Sequence, residues 1–169
     1  PHAAWLAAKL NEEAITLLKN EGDIIPLKQL DKKKIAALSI GDGVGNEFQK
    51  MLGRYDSVAC LSISRNATAA QVQSVYKKLE KYDVVICGVQ TVRIPESPAL
   101  RELAAKKELV YAFFTLPYFC KAYKPSILKA KGVVMAYEGT PLAQKYAAQA
   151  IFGGIAVKGK LSVSIPTLY

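Results

Sequence analysis

Two carboxylates are the residues whose placement could do chemistry together. Glu96 lies in a polar loop over 90–97, and Glu138 closes an apolar run over 133–137. Both follow strands, and in a parallel sheet the loops after the strands share the edge that takes ligands. Two carboxyl groups about 5 Å apart can divide the roles of nucleophile and acid. Neither residue has an evident partner in the sequence, however. The plainer reading makes Glu96 a solvated loop acid and Glu138 a helix-start acid favoured by the helix dipole. Glu96 stands as a weak catalytic candidate.

Other chemistries meet specific obstacles. Gly41-Asp42-Gly43-Val44-Gly45-Asn46 is a Gly-rich turn ahead of a helix, where backbone amides can cradle phosphate. It lacks the third glycine of the dinucleotide fingerprint, where Asn46 stands, and it lacks the Lys and Ser/Thr of a P-loop. It reads as a strand-to-helix turn, and no cofactor is expected. A phospho-receiver site would need carboxylates at the ends of the first and third strands to hold Mg²⁺. Asp42 is available, but the third strand ends Cys87-Gly88-Val89-Gln90. The single histidine, His2, stands at the start of the chain, and no Gly-x-Ser-x-Gly elbow is present. Cys60, Cys87 and Cys120 have no CxxC spacing, which argues against both a zinc site and a disulfide framework. Cys60 and Cys87 read as small buried hydrophobes and Cys120 as a buried structural thiol.

Lys plus Arg is 23 against 14 Asp plus Glu, a net charge of +9. The lysines fall in short groups at element ends, without the interleaved aromatics of a base-stacking platform, so no nucleic-acid partner is expected. No apolar run is long enough to span a membrane, and residues 1–10 lack the pattern of a signal peptide.

The elements that must position these residues alternate helix with strand. A helix is expected over 3–20, with Leu6, Leu10, Ala14 and Leu17 on its buried face and Gly22 as its stop. A linker around Pro26 follows. Strands are expected over 35–40, 57–63, 83–89, 109–116 and 133–137, with a last short one over 161–165. Helices are expected over 46–52, after the Thr68/Gln71 capping box, after Ser97-Pro98, around 117–130 with an interruption at Pro125, and after Thr140-Pro141. In the helix after Thr68, Val72, Val75, Tyr76 and Leu79 are expected inside. In the last helix, Leu142, Tyr146, Ala150 and Ile151 are. The strands are continuous apolar runs, which marks a sheet covered on both faces and mostly parallel. The fold class is α/β: a three-layer αβα sandwich of flavodoxin-like type, with five or six strands, in a single domain over 1–169.

Several ordered segments carry a resemblance. Leu17-Leu18-Lys19-Asn20, followed by Ile25-Pro26-Leu27 and a strand, resembles the opening of the C-terminal domain of family 3 glycoside hydrolases. Tyr82-Asp83-Val84-Val85-Ile86 matches that family's Asp-led third strand. Ile151-Phe152-Gly153 and Gly159-Lys160-Leu161-Ser162-Val163 resemble its closing motif, with Ser162 where the family usually has proline. The resemblance covers nearly the whole chain.

It implies a larger enzyme, in which a (β/α)₈ barrel carries the nucleophile and precedes this sandwich on the same polypeptide, with residues 1–30 as the entering helix and linker. In the β-glucosidase branch a Glu from the loop after the third strand serves as acid/base. Here that loop, 90–97, lacks the usual Gly-Glu start, and Glu96 is only a loose positional match. In the β-N-acetylglucosaminidase branch a His/Asp pair on the barrel replaces that Glu. Tyr137-Glu138-Gly139-Thr140-Pro141 resembles bacterial members of this second branch. The implied parent hydrolyses terminal β-linked sugars with retention, N-acetylglucosaminides ahead of glucosides, in the periplasm or cell envelope. The chain alone is expected to be inactive. The alternative is a stand-alone flavodoxin-like binding or interaction module.

Overall fold

The computed structural model describes residues 2–28 and 30–157. Five parallel strands form the body of the sheet: β2 (Ile35–Ile40), β3 (Val58–Ile63), β4 (Val84–Val89), β5 (Glu108–Phe113) and β6 (Gly132–Met135). Their spatial order is β6-β5-β4-β2-β3, with the sixth strand, β1 (Thr16–Asn20), antiparallel at the β6 edge. The parallel part is the flavodoxin-like order, and the three-layer sandwich read from the sequence is the fold.

Every residue of β2 and β4 is buried, and nearly all of β5, as continuous apolar runs require. Alternate side chains therefore feed two cores. One lies under α2 (Glu47–Leu52) and α6 (Pro141–Phe152) and holds Ala37, Phe48, Ile86 and Ala147. The other lies under α3 (Ala69–Leu79), α4 (Pro98–Lys106) and α5 (Lys124–Lys129) and holds Leu38, Cys87, Tyr111 and Tyr123. Helix starts follow their side chains. Thr68 and Gln71 form a reciprocal capping box on α3, Ser97 caps α4 with Pro98 behind it, and Thr140 caps α6 with Pro141 behind it. Pro125 falls in the first turn of α5, where its missing N–H is harmless.

The opening segment differs from the expectation. Helix α1 spans His2–Ala14 and stops there; Thr16–Asn20 is a strand, not the end of that helix. The reason is tertiary. Leu17 packs toward the α2/α6 core and Leu18 toward the other, the period-two alternation of a strand. Pairing with β6 satisfies backbone groups that would otherwise face water at a sheet edge. Lys19 Nζ donates to the carbonyls of Ile127 and Leu128 at 3.2 and 2.8 Å, capping the end of α5. Asn20 brackets Ile25, accepting its N–H and donating to its carbonyl, both at 2.9 Å. Gly22 does take the left-handed conformation (φ 64°), but after a strand.

Three smaller corrections have similar causes. Leu6 and Leu10 are exposed because α1 lies against α6 through its other face. Cys60 is exposed because β3 is an edge strand. The buried face of α6 is Ala143, Gln144, Ala147, Ala148, Ala150 and Ile151, while Leu142 and Tyr146 are half-buried; small residues let α6 approach the sheet and α2 closely. Val72 and Val75 are likewise half-buried beside buried Tyr76 and Leu79. The expected strand over 161–165 and the turn at Gly159 lie outside the described residues. Among the described residues no helix is long and apolar enough to cross a membrane.

Candidate functional site at the carboxyl edge of the sheet

Strand register aligns the carboxyl ends in one row. Ile40 pairs with Ile63 and Val89, Val89 with Phe113, and Phe113 with Met135. The loops beyond this row carry all the carboxylate and glycine candidates, and the two helix layers dispose of them differently.

On the α2/α6 side the three glycine amides of the Gly-rich turn are already spent. Gly41 N–H donates to Ile63 O at 2.9 Å, Gly43 N–H to Asp42 Oδ1 at 2.8 Å and Gly45 N–H to Gln49 Oε1 at 2.8 Å. Gly41 is glycine for two reasons: its φ is 94°, and a Cβ there would come within 2.5 Å of Thr91 Cγ2. The turn locks two loops together. Around it stand four amide side chains. Asn46 caps α2 and donates to Ser39 Oγ. Gln49 donates to the carbonyls of Ala37 and Leu61 at 3.1 and 3.0 Å. Gln144 accepts from Phe48 N–H and donates to Gly139 O, joining α6 to α2. Gln90 lies over Gly139, where a Cβ would be 2.9 Å from its Oε1, and its buried Nε2 has no partner among the described residues. Asn46 and Gln90 were named from the sequence only for the glycine and carboxylate they replace, and Gln49 and Gln144 not at all; Gln and Asn carry no charge pattern that marks them.

On the other side Glu96 turns out to be partnered. Its side chain is only 4% exposed. One carboxylate oxygen takes the Arg101 Nε–H; the other accepts from Ser126 N–H at 2.8 Å and Ser126 Oγ–H at 2.7 Å. Since the Ser126 hydroxyl has one proton and gives it to Glu96, Tyr111 O–H donates to Ser126 Oγ across 2.6 Å. Tyr123 O–H donates to Ile94 O at 2.6 Å. Burial pushes the Tyr111 phenol well above its ordinary range, so it acts as a donor throughout the neutral range. The solvated-acid reading of Glu96 is therefore replaced: the carboxylate pins loop 90–97 to α4 and α5. Ser126 lies 30 residues along the chain, which is why the local sequence did not reveal it, and Arg101 turns to the carboxylate only because α4 begins after Ser97.

Glu138 is exposed, next to Tyr137, whose φ of 69° swings the chain out of β6. The Tyr137 hydroxyl meets Thr16 Oγ1 at 2.8 Å, tying this corner to β1. No bond joins Glu96 and Glu138; one belongs to the α3–α5 layer and the other leads into α6. His2 stacks on Trp5 in α1. Cys87 and Cys120 are buried, and burial pushes the Cys120 thiol up to about 12, which removes it as a nucleophile. Among the described residues no cluster of His, Cys, Asp or Glu is placed to hold a metal.

No protein-family model matches the chain, and no curated protein matches it. Solved structures do match. A fungal multi-domain family 3 β-N-acetylglucosaminidase superimposes with a TM-score of 0.75 at 21% identity, covering 97% of this chain and 19% of that one. The family 3 β-N-acetylglucosaminidase of Paenibacillus sp. str. FPU-7 gives 0.73 at 22% identity, covering 92% and 31%. A β-glucosidase from Listeria innocua, solved with isofagomine, gives 0.63 at 16% identity, covering 88% and 25%. The chain thus has the fold of a segment of these enzymes, and spans less than a third of the length of each.

Proposed function

We propose that this chain is the C-terminal α/β sandwich domain of a family 3 glycoside hydrolase, accessory to a catalytic (β/α)₈ barrel on the same polypeptide. The observation that carries the reading is the whole-length match to a partial segment of such enzymes, in company with the ordered sequence motifs. The higher TM-scores with the two β-N-acetylglucosaminidases, 0.75 and 0.73 against 0.63, support terminal β-N-acetylglucosaminides as the parent's substrate, with β-glucosides second and retention of configuration in either case. The parent works in the periplasm or cell envelope.

Two features of the chain fit an accessory role. Glu96, the loop carboxylate buried at the carboxyl edge, is held by three donors and has none of the freedom an acid/base needs. Helix α1 leaves Trp5, Leu6 and Leu10 exposed on one side, an apolar patch of the kind that marks an interaction face. The barrel is the partner this reading supplies.

The test compares this chain with the polypeptide encoded by its extended upstream reading frame on chromogenic β-N-acetylglucosaminide and β-glucoside. The longer protein should turn over the first substrate faster, and the chain alone neither. Turnover by the chain alone that Glu96→Gln abolishes, or an upstream frame encoding no barrel, would overturn the proposal.

A further inference from the structure

A cavity of about 360 Å³ opens at the carboxyl edge between the first turns of α3 and loop 90–97. Its size is that of a small-ligand site. It sits where β2 sends its chain to the opposite face while β3 and β4 send theirs to this one, the switch point at which open α/β sheets take ligands.

Its lining is of two kinds. Val72, Tyr76 and Ile94 contribute apolar surface, and Arg65 and Arg93 stand in the rim, one in the loop after β3 and one in the loop after β4. The chain has four arginines, and two of them line this cavity. Both are exposed, and among the described residues neither is paired with a carboxylate, whereas Arg101 is. The one acidic residue in the lining, Glu96, has its oxygens taken by Arg101 and Ser126, so it does not close on either arginine. The capping box of Thr68 and Gln71 already closes the first turn of α3, which leaves the guanidiniums as the positive groups of the cavity. Guanidinium forks match carboxylate and phosphate oxygens.

We propose that this cavity binds a small organic anion, its phosphate or carboxylate held by Arg65 and Arg93 and its ring or aliphatic body lying on Val72 and Tyr76.

Phenyl phosphate, benzoate, inorganic phosphate and phenol titrated into the isotopically labelled chain, followed by amide shifts, test it. Phenyl phosphate or benzoate should saturate shifts at Ser64, Arg65, Arg93 and Ile94; which of the two binds more tightly assigns the head group. Arg65→Ala and Arg93→Ala should each weaken binding about ten-fold, the cost of one charge-assisted contact, and Arg54→Ala should leave it unchanged. Both arginines are exposed, so the variants keep the wild-type spectrum as their control. The proposal is overturned if neither probe saturates, if the arginine variants bind as wild type, if shifts fall instead on the lysine-rich helix ends, or if inorganic phosphate binds as tightly as phenyl phosphate.

Discussion

The two helix layers are built on opposite principles. The α2/α6 layer is sealed: alanines on α6 bring it close, Phe48 meets Phe114 edge-on at 5.2 Å, and neutral amides satisfy the backbone at the edge. The α3–α5 layer is assembled around Tyr111, Phe113 and Tyr123, mutually packed rings with centroids 4.9 to 6.2 Å apart, and it buries a carboxylate and two thiols. The contrast teaches where function can sit. Small residues and amides draw the α2/α6 layer close against the sheet. The α3–α5 layer, built on large rings and a charge network, leaves an open cavity beside its loops.

Four substitutions separate the two layers. Phe48→Ala should cost about 3–5 kcal/mol in denaturant unfolding, because a sealed layer cannot collapse into the space. A loss below about 1 kcal/mol would mean the layer is loose. Ser126→Ala removes a donor from a buried carboxylate and the acceptor of Tyr111, and should cost about 2–3 kcal/mol, with loop 90–97 gaining amide exchange.

Alkali should act on the α3–α5 layer. The Cys120 thiol is raised by burial from 9.0 to about 12, and burial raises Cys87 as well. Folding favours the neutral thiol, so this contribution is whole below pH 9, declines above it and is gone once pH passes 12. Cys120→Ala should therefore lessen the fall in stability between those limits. Equal slopes for variant and wild type would show that the thiol is not buried in solution. Gln90→Met removes an unpartnered buried amide and should be neutral or stabilising by up to about 1 kcal/mol. A loss larger than that would reveal an acceptor for Nε2.

Much of this fold was legible because its signals are local. Thr68 with Gln71, Ser97 with Pro98 and Thr140 with Pro141 declare helix starts within four residues, and the apolar runs of β2, β4 and β5 declare strands buried on both faces. What stayed hidden was decided at a distance. Residues 15–20 suit a helix or a strand by themselves, and only β6 makes them a strand. Leu6 and Leu10 lie on a helical face, but the sequence does not say which face meets α6. Of the site, the carboxyl edge was legible and Glu96 was correctly placed near it. Its fastening by Arg101 and Ser126 was not, and the pairing of Arg65 with Arg93 depends on strands β3 and β4 flanking β2, a fact of topology.

Strand β1 joins β6 across most of the chain's length, so its docking closes a very long loop, at an entropic cost that local contacts do not carry. Tension on the amino-terminal end would load the register beginning at Thr16 and Met135 before it reached the parallel sheet. The first strand is then a latch, and unlatching bares the edge of β6, a template for strand exchange between neighbouring molecules. A fragment lacking residues 2–20 should consequently remain folded in its parallel core but associate with itself.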